Sequence, residues 1–247
     1  MMTGRRKVAG TIWNQPGEMA WTGSRYKGLP VHADDEDVHI IALEMLQGRL
    51  PAGARVLDVG AGAGAFSLRL QDHGYGVEAL ELRAEAFAVP GVPVHSLDLN
   101  TEWAADLPVR FDAVVSLEVI EHLENPWHFV RQCAGAVRAG GWVLLSTPNI
   151  ESSRSRLDFL LGGEFRFFKH KDHVDCGHIT SLTGQQLEWV GRRAGLHLAE
   201  FRHSRHKGLP RPGKPSRTLR SLLYALSFPF MKGRKHGEES LVLYRKD

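Results

Sequence analysis

Cysteine is scarce in this sequence, and long apolar runs are absent. Its 247 residues include two cysteines, Cys133 and Cys176, which lie far apart and lack the paired spacing of a metal site. We therefore expect no disulfide framework and a reducing compartment, the cytoplasm. No segment approaches the roughly 20 apolar residues of a membrane-spanning helix, and the basic residues at positions 1–10 are not followed by the apolar core of a secretory signal.

Charge is nearly balanced in total but uneven along the chain. Lysine and arginine number 31 against 28 acidic residues, a net charge of +3. Residues 202–220 are crowded with arginine, lysine and histidine, and an apolar run follows at 222–231. One interpretation is a solvated loop followed by an ordinary packed helix. The other is peripheral contact of residues 204–231 with an anionic membrane, which would place the protein at the inner membrane face.

Strand and helix patterns alternate along most of the chain. Short apolar strands are predicted at 55–59, 76–81, 94–99, 111–117 and 142–146, with helices between them at 66–73 and 126–138. Two helices, at 152–166 and 183–195, and two last strands, at 196–203 and 240–245, complete the pattern. Such alternation predicts an α/β fold with a doubly wound, mostly parallel sheet. We expect residues 1–35 to form an arm or lid and residues 36–247 one domain, with insertions at about 150–180 and 204–237.

A glycine-rich loop connects the first of these strands to a helix. Its glycines, which let the main chain turn sharply and approach a ligand, are Gly60, Gly62 and Gly64. Glu81 follows about 20 residues later, where a carboxylate can bind ribose hydroxyls, and Ala65 completes a dinucleotide fingerprint. Asp58 lies inside the strand, where a buried carboxylate is costly unless it bonds neighbouring amides or a cationic ligand. The loop alone leaves three alternatives open: a nicotinamide (NAD) site, a site for another nucleoside cofactor, or a structural turn.

Further motifs follow at the ends of the later strands. Asp98 comes after the third strand, FDAVVSLEVIEHL occupies residues 111–123, a Gly-Gly pair lies within 138–142, and STPN ends the fifth strand at 146–149. In this order, residues 55–149 resemble the class I methyltransferases that depend on S-adenosylmethionine (SAM). The resemblance implies a Rossmann-like sheet of seven strands with an antiparallel last strand, and SAM as the cofactor.

The resemblance also implies a role for each matching residue. Asp58 and the three loop glycines would hold the methionine end of SAM, and Glu81 would bind its ribose hydroxyls. Asp98 and Leu99 would frame the adenine. The residues expected beside the sulfonium are Leu117 and Glu118.

One interpretation of the segment Glu118-Val-Ile-Glu121-His122 is that it begins a helix, which would place its two carboxylates and its imidazole on one face. These groups suit a divalent metal, Mg²⁺ or Zn²⁺, with His178 from the histidine-rich stretch 170–178 as a fourth ligand. The arrangement is similar to metal-assisted O-methyltransferases that act on catechol-like intermediates of ubiquinone synthesis or on the terminal ribose 2′-hydroxyl of small RNAs. The alternative is a metal-free site in which Glu118 contacts the cofactor and His122 acts as a base or in packing. The remaining polar residues of the stretch are expected in an exposed loop; they are His170, His173 and Asp175.

These patterns together predict SAM-dependent methyl transfer, at oxygen, to a small-molecule or a lipid- or saccharide-linked acceptor, with His122 and Glu121 as catalytic residues. The alternatives are metal-assisted 2′-O-methylation of RNA and, more remotely, NAD-dependent oxidoreduction. A nucleic-acid partner is less favoured, because such enzymes usually carry a broader basic face than a net charge of +3 provides. Nothing in the sequence indicates an oligomeric state. Three arginines, expected either to bind an anionic acceptor or to be solvated, are Arg154, Arg156 and Arg166.

Overall fold

The computed structural model describes residues 23–33, 36–205 and 222–247. A short hairpin, β1 (Arg25–Tyr26) and β2 (Leu29–Pro30), precedes the main sheet. The strands of the main sheet are β3 (Arg55–Val59), β4 (Gly76–Glu81), β5 (Val94–Ser96), β6 (Phe111–Ser116), β7 (Val137–Pro148), β8 (Leu196–His203) and β9 (Glu239–Lys246). The helices are α1 (Asp37–Leu46), α2 (Ala65–Asp72), α3 (Pro126–Ala136), α4 (Ser153–Gly162), α5 (His170–Cys176) and α6 (Gly184–Arg193). A further helical turn covers residues 222–227.

The main sheet has seven strands in the order β5-β4-β3-β6-β7-β9-β8. Strands β3 to β7 pair in parallel, and β9 is antiparallel to both of its neighbours. This confirms the predicted fold class, including the antiparallel last strand. The strand order reverses between β3 and β6, and ligands of open parallel sheets bind outside the carboxyl ends of the strands at such a switch point.

Helices cover both faces of the sheet, which explains why its central strands are almost entirely buried. Helices α3 and α6 pack on one face around Phe111, Phe129 and Tyr244. Helices α1 and α2 pack on the other, around Met45 and Phe66. With both faces covered, the loops at the carboxyl edge are where a ligand can enter.

Two strand boundaries differ from the sequence prediction. Strand β5 ends at Ser96, because the Asp98 side chain accepts a hydrogen bond from the Asn100 amide at 3.0 Å and turns the chain. Strand β7 begins at Val137 and not at residue 142, so the Gly-Gly pair expected before the strand lies within it. A side chain at Gly141 would approach the Asp112 carbonyl oxygen to 2.8 Å, so glycine is needed where the two strands come close.

The parts of the chain after β7 are also more regular than predicted. The histidine-rich stretch is not a loop: His170–Cys176 form helix α5, which ends at Gly177 with φ +77°. Its residues His170, His173 and Asp175 are exposed, as expected. Helix α6 begins at Thr183, whose side chain caps it together with Gln186.

Parts of two predicted features lie outside the described residues. They are residues 1–22 and 34–35 of the expected arm and residues 206–221 of the second insertion, which carries most of the basic stretch. The division of the chain near residue 36 stays a prediction. Among the helices that the structure describes, none has the length and apolar character needed to cross a bilayer.

Candidate active site

The glycine-rich loop lies at the carboxyl end of β3, at the switch point of the sheet. Gly60, Gly62 and Gly64 have φ values of +76°, +55° and +92°, in the left-handed region that favours glycine. Side chains would also collide there. A Cβ on Gly60 would lie 2.5 Å from Val119, and one on Gly64 would lie 2.4 Å from Val89. Both the backbone conformation and the space therefore require glycine at this loop.

Asp58 is buried beneath the loop, with 3% of its surface exposed. Its Oδ2 accepts a hydrogen bond of 2.6 Å from the Ser67 hydroxyl. Burial raises the pKa of Asp58 to about 7, and the negative charge of Glu81 adds to this. The residue lines a cavity together with Gly60, Gly62 and Leu117, so four of the predicted cofactor residues meet in one place.

Glu81 is connected to the same loop by a hydrogen bond. At the end of β4, its Oε2 accepts from the Gly62 amide at 2.8 Å and its Oε1 from the Arg83 amide at 3.1 Å. Asp98 follows the next strand and is exposed, whereas Leu99 is buried. The acids predicted for the ribose and the adenine thus follow successive strands at the carboxyl edge of the sheet.

The predicted helix beginning at Glu118 is wrong. Glu118 has φ +55°, and only Ile120–His122 form one helical turn of the 3₁₀ type. Ser146 on β7 fixes this conformation, because its hydroxyl donates to the Glu118 carboxylate at 2.6 Å and accepts from the Glu118 amide at 2.9 Å. The carboxylate of Glu118 is therefore directed to Ser146 instead of sharing a helix face with Glu121 and His122.

Three of the four predicted metal ligands nevertheless come together. Glu121, His122 and His178 each offer one ligand atom, and these atoms lie within 4.8 Å of one another. The segment after α5 brings His178 there, because the amides of Ile179 and Thr180 both donate to the Glu121 carbonyl at 2.9 Å. Glu118 is not part of this group.

Glu121 is fully buried, and neither of its carboxylate oxygens reaches ordinary hydrogen-bond geometry with another described residue. The Thr147 hydroxyl is the polar side chain close enough to lower its pKa. Burial, and to a smaller extent the nearby Glu118, raise its pKa well above the ordinary value. Nε2 of His122 lies 4.0 Å from Oε1 of Glu121. A buried carboxylate without a complete hydrogen bond is costly, and such groups are typical of sites that bind a proton or a cation.

Both histidines of the group are oriented by main-chain carbonyls. Nδ1 of His178 is 2.6 Å from the Phe167 carbonyl oxygen, and Nδ1 of His122 is 3.3 Å from that of Gly177. Since a carbonyl oxygen only accepts, Nδ1 of His178 carries the proton and its Nε2 keeps a lone pair. The ring of His122 also has the carbonyl oxygens of Cys176 and Glu118 as neighbours. Burial lowers the pKa of both rings, that of His122 to about 4, so both are neutral near pH 7. Histidine ligands of metals are oriented in this way.

The three arginines of α4 and the following loop were expected either to bind an anionic acceptor or to be solvated, but each of them contacts another part of the chain. Arg154 and Arg166 both pair with the buried Glu238, at 3.2 and 2.7 Å. Arg156 donates to the Lys232 carbonyl at 2.7 Å. These contacts hold the segment before β9 against α4, so the three arginines contribute to the structure of the acceptor side.

Sequence reasoning missed two histidines that line the cofactor cavity, His32 after β2 and His39 on α1. His39 is buried next to Phe66, with ring centroids 5.1 Å apart. The sequence did contain a signal for His39, because it is a polar residue on the apolar helix face formed by Val38, Ala42 and Met45. His32 has no comparable signal, because its position depends on how the hairpin folds over the loop.

Comparisons with known proteins agree with this geometry. A sequence model of the methyltransferase-domain family matches residues 38–200. The ubiquinone biosynthesis O-methyltransferase of Thiobacillus denitrificans is 30% identical over 190 residues, covering 73% of this chain and 79% of the relative. The chain belongs to the SAM-dependent methyltransferases. This assignment replaces the NAD-dependent alternative and establishes SAM as the cofactor.

Other relatives of this methyltransferase have similar names or folds. The ubiquinone biosynthesis O-methyltransferase of Burkholderia thailandensis is 29% identical over 196 residues, covering 74% of this chain and 80% of that protein. A SAM-dependent methyltransferase from Archaeoglobus fulgidus has a similar fold, with a TM-score of 0.58 and 16% identity over 85% of this chain and 97% of the other. A structure described as a methyltransferase from Bacillus halodurans also has a TM-score of 0.58, with 15% identity over 84% and 98% of the two chains.

Proposed function

We propose that this methyltransferase transfers the methyl group of SAM to a hydroxyl oxygen of a small-molecule acceptor, assisted by a divalent metal at Glu121, His122 and His178. The observation that carries the proposal is the buried group of two neutral imidazoles and one carboxylate that pairs with no lysine or arginine among the described residues. An oxygen acceptor must lose a proton, and this group offers the lone pairs and negative charge that the reaction needs. The names of the relatives, O-methyltransferases of ubiquinone biosynthesis, support an oxygen acceptor and favour a catechol-like one.

We propose that the residues at the carboxyl edge of the sheet bind the cofactor. We infer that Asp58 and the glycine loop bind the methionine end of SAM and that Glu81 binds the ribose hydroxyls. Asp98 and Leu99 would frame the adenine, as their position after the next strand suggests. Leu117 and Glu118 follow β6, between the glycine loop and the histidine group, which suits contact with the sulfonium.

In the transfer, the acceptor oxygen forms a bond to the methyl carbon while the bond from that carbon to the sulfonium sulfur breaks. The chain's main contribution is to hold the two reacting atoms in line at close approach. Glu121, through a carboxylate oxygen that does not bind the ion, is the proton acceptor proposed for the hydroxyl proton. His122 would take this role only in the metal-free alternative, because with an ion bound its Nε2 would be a ligand. A divalent ion, when bound, would lower the pKa of the acceptor hydroxyl.

The residues present fit such an ion by three criteria. The donor atoms lie within 4.8 Å of one another, Nε2 of His178 keeps a lone pair, and the buried Glu121 carboxylate pairs with no lysine or arginine among the described residues. Two imidazoles and one carboxylate suit Zn²⁺ or another first-row divalent metal more than Mg²⁺, which prefers oxygen ligands.

Methyl transfer from labelled SAM to simple and prenylated catechols tests the proposal. Activity should fall after exhaustive chelation and return with one divalent metal. His178→Asn should lose at least tenfold in kcat/KM, whereas His173→Asn, on the exposed face of α5, should match the wild type. Activity that survives chelation, with no metal in the purified protein, would exclude the metal. Label found in RNA instead of the small molecules would favour the 2′-O-methylation alternative.

We also propose that an apolar surface of the two insertions contacts anionic membranes. Among the described residues, eight of the twelve exposed large apolar side chains lie within the two insertions, and we infer that together they form this surface: Phe159, Leu160, Leu161, Val174, Ile179, Leu222, Leu226 and Phe230. Residues 202–220 add seven lysines and arginines and no acidic residue, which complements an anionic lipid surface.

Vesicle flotation tests this contact with one matched control. The wild type should float with vesicles that contain phosphatidylglycerol, and a Leu160→Ser, Leu226→Ser, Phe230→Ser variant should not. Trp189→Ser removes an exposed apolar group outside the insertions and should float normally. A wild type that stays unbound at low salt would exclude the membrane surface.

A further inference from the structure

The carboxyl end of β7 carries two successive hydroxyl groups, those of Ser146 and Thr147, and each lies close to a different carboxylate. Ser146 binds Glu118 through the two hydrogen bonds described above. Thr147 lies close to Glu121, and the contact with its hydroxyl lowers the pKa of that carboxyl group against the larger effect of burial. Successive side chains of a strand point to opposite faces of the sheet, so the two hydroxyls reach the two acids separately.

Thr147 is a buried polar residue whose hydrogen bonding is incomplete. It is 1% exposed, and its hydroxyl oxygen reaches ordinary hydrogen-bond geometry with no other described residue. The same is true of both carboxylate oxygens of Glu121. A buried hydroxyl and a buried carboxylate that lie together without a complete hydrogen bond are costly, unless a bound group completes the arrangement.

A divalent ion at the proposed site would supply that missing group. One carboxylate oxygen of Glu121 lies within 4.8 Å of the ligand atoms of His122 and His178. When this oxygen binds the ion, the second oxygen still carries part of the negative charge and needs a hydrogen-bond donor. The Thr147 hydroxyl is the side-chain donor close to it. Carboxylate ligands of metals are hydrogen-bonded in this way, and the bond fixes their orientation.

We infer that Thr147 is a positioning residue of the proposed metal site, whose hydroxyl holds the Glu121 carboxylate so that one of its oxygens faces the ion. The inference rests on the proposed function. The hydroxyl donates to the second oxygen, which has a further lone pair and can still receive the proton of the acceptor. In this arrangement Thr147 acts only through Glu121, so its removal should weaken metal binding without a direct effect on the cofactor.

Competition for Zn²⁺ between the purified protein and a chromophoric chelator tests the role of this hydroxyl. Thr147→Val keeps the branched shape but removes the hydroxyl, and it should weaken Zn²⁺ binding by about tenfold or more, as expected for a lost hydrogen bond to a metal ligand. Thr147→Ser keeps the hydroxyl and should remain within about threefold of the wild type. Thr147→Ala, compared with Thr147→Ser, removes the hydroxyl from a smaller side chain and should repeat the loss.

Ser146→Ala is the matched control, because it removes the neighbouring hydroxyl at the end of the same strand. It should release Glu118 and weaken SAM binding in calorimetry, yet leave the Zn²⁺ affinity within about threefold of the wild type. Thr147→Val should show the reverse, with SAM affinity unchanged. The Tm of metal-free Thr147→Val should not fall below that of the wild type, since the hydroxyl it removes has no complete hydrogen bond.

The outcomes separate this inference from the proposed function. Equal Zn²⁺ affinities in the wild type and Thr147→Val, or equal affinities in Thr147→Ser and Thr147→Ala, would overturn the role of the hydroxyl and leave the metal site in place. A similar loss of Zn²⁺ affinity in Ser146→Ala and Thr147→Val would also overturn it, because the end of β7 would then have a merely structural role. A wild type that binds no Zn²⁺ would remove the proposed metal and this inference with it.

Discussion

The Nδ1 nitrogen of His178 donates a hydrogen bond of 2.6 Å to the carbonyl oxygen of Phe167. Phe167 adopts φ +67°, a left-handed conformation that is uncommon for residues other than glycine and that costs energy. This conformation directs its carbonyl oxygen to the imidazole, so the strained residue determines which nitrogen of His178 remains available. In the proposed site, the orientation of a metal ligand therefore depends on the backbone of a loop residue.

Substitutions at Phe167 should separate the role of the backbone from that of the ring. Phe167→Asn tolerates the left-handed conformation and should keep Zn²⁺ affinity within about threefold. Phe167→Pro cannot adopt a positive φ, and loss of the carbonyl contact should weaken the metal by roughly 10–100-fold. Competition with a chromophoric chelator measures both values. Equal affinities in the two variants would contradict the role of this carbonyl.

Glu121 should connect metal binding to thermal stability. Added Zn²⁺ should raise the Tm of the wild type, because a ligand that binds only the folded state stabilises it. In Glu121→Gln the shift should disappear, whereas the exposed Glu124→Gln should behave as the wild type. Differential scanning calorimetry provides the comparison. The same shift in all three proteins would mean that the metal binds elsewhere.

Removing the Glu121 charge should stabilise the metal-free protein at higher pH. A carboxyl group whose pKa is raised in the folded state favours folding while it is protonated, and this contribution is lost as pH rises through the folded pKa. The Tm of metal-free Glu121→Gln, relative to the Tm of the wild type, should therefore rise as the pH increases. A constant difference between the two proteins would show that Glu121 is not a buried charge.

Cofactor affinity should depend on the ionisation of Asp58. Burial raises the pKa of this carboxyl to about 7, so it is largely protonated below that pH in the free protein. Pairing with the ammonium group of the cofactor requires the charged form. Affinity for S-adenosylhomocysteine should thus fall as pH drops below about 7, with a limiting slope of roughly tenfold per unit. Isothermal titration calorimetry measures this affinity across about pH 5.5–8, a range that includes the raised pKa of Asp58. A wild-type profile as flat as that of Asp58→Asn would contradict the pairing.

Glu238 should matter more for stability than an exposed acid of the same kind. Its carboxylate is 1% exposed and pairs with both Arg154 and Arg166, so Glu238→Gln would leave two guanidiniums without their partner. The loss of unfolding free energy should be roughly 3 kcal/mol, as for other broken buried pairs. Glu188→Gln, which breaks the more exposed pair with Arg234, should cost at most about 1 kcal/mol. Urea unfolding that gave equal costs would remove the structural role of Glu238.

The fold could be predicted from local patterns because each strand of the sheet has its own apolar signal. The central strand β6 is a nearly continuous apolar run, and the glycine loop follows β3 directly, so position and topology agree. Boundaries were less predictable. The bend at Asp98 depends on one side-chain hydrogen bond, and the course of β7 through Gly141 depends on a close approach to Asp112.

The candidate site was predictable where residues close in sequence form it, and less so elsewhere. Glu121 and His122 are adjacent, and the expectation that His178 joins them agrees with the structure. The helix expected at Glu118 failed, because a contact with Ser146 on a neighbouring strand overrides the local helical pattern. His32 could not be found, since only the folded hairpin brings it to Gly62.

The position of the transferred methyl group tests the central claim most directly. The purified protein, reconstituted with Zn²⁺, is incubated with ¹³C-methyl-labelled SAM and a catechol that also carries an amine, and the product is analysed by carbon NMR. The account predicts a single methoxy carbon on a ring oxygen, lost when the metal is removed and when His178→Asn replaces the wild type. A methyl group on nitrogen or ring carbon, or a methoxy product that forms unchanged without metal, would contradict it.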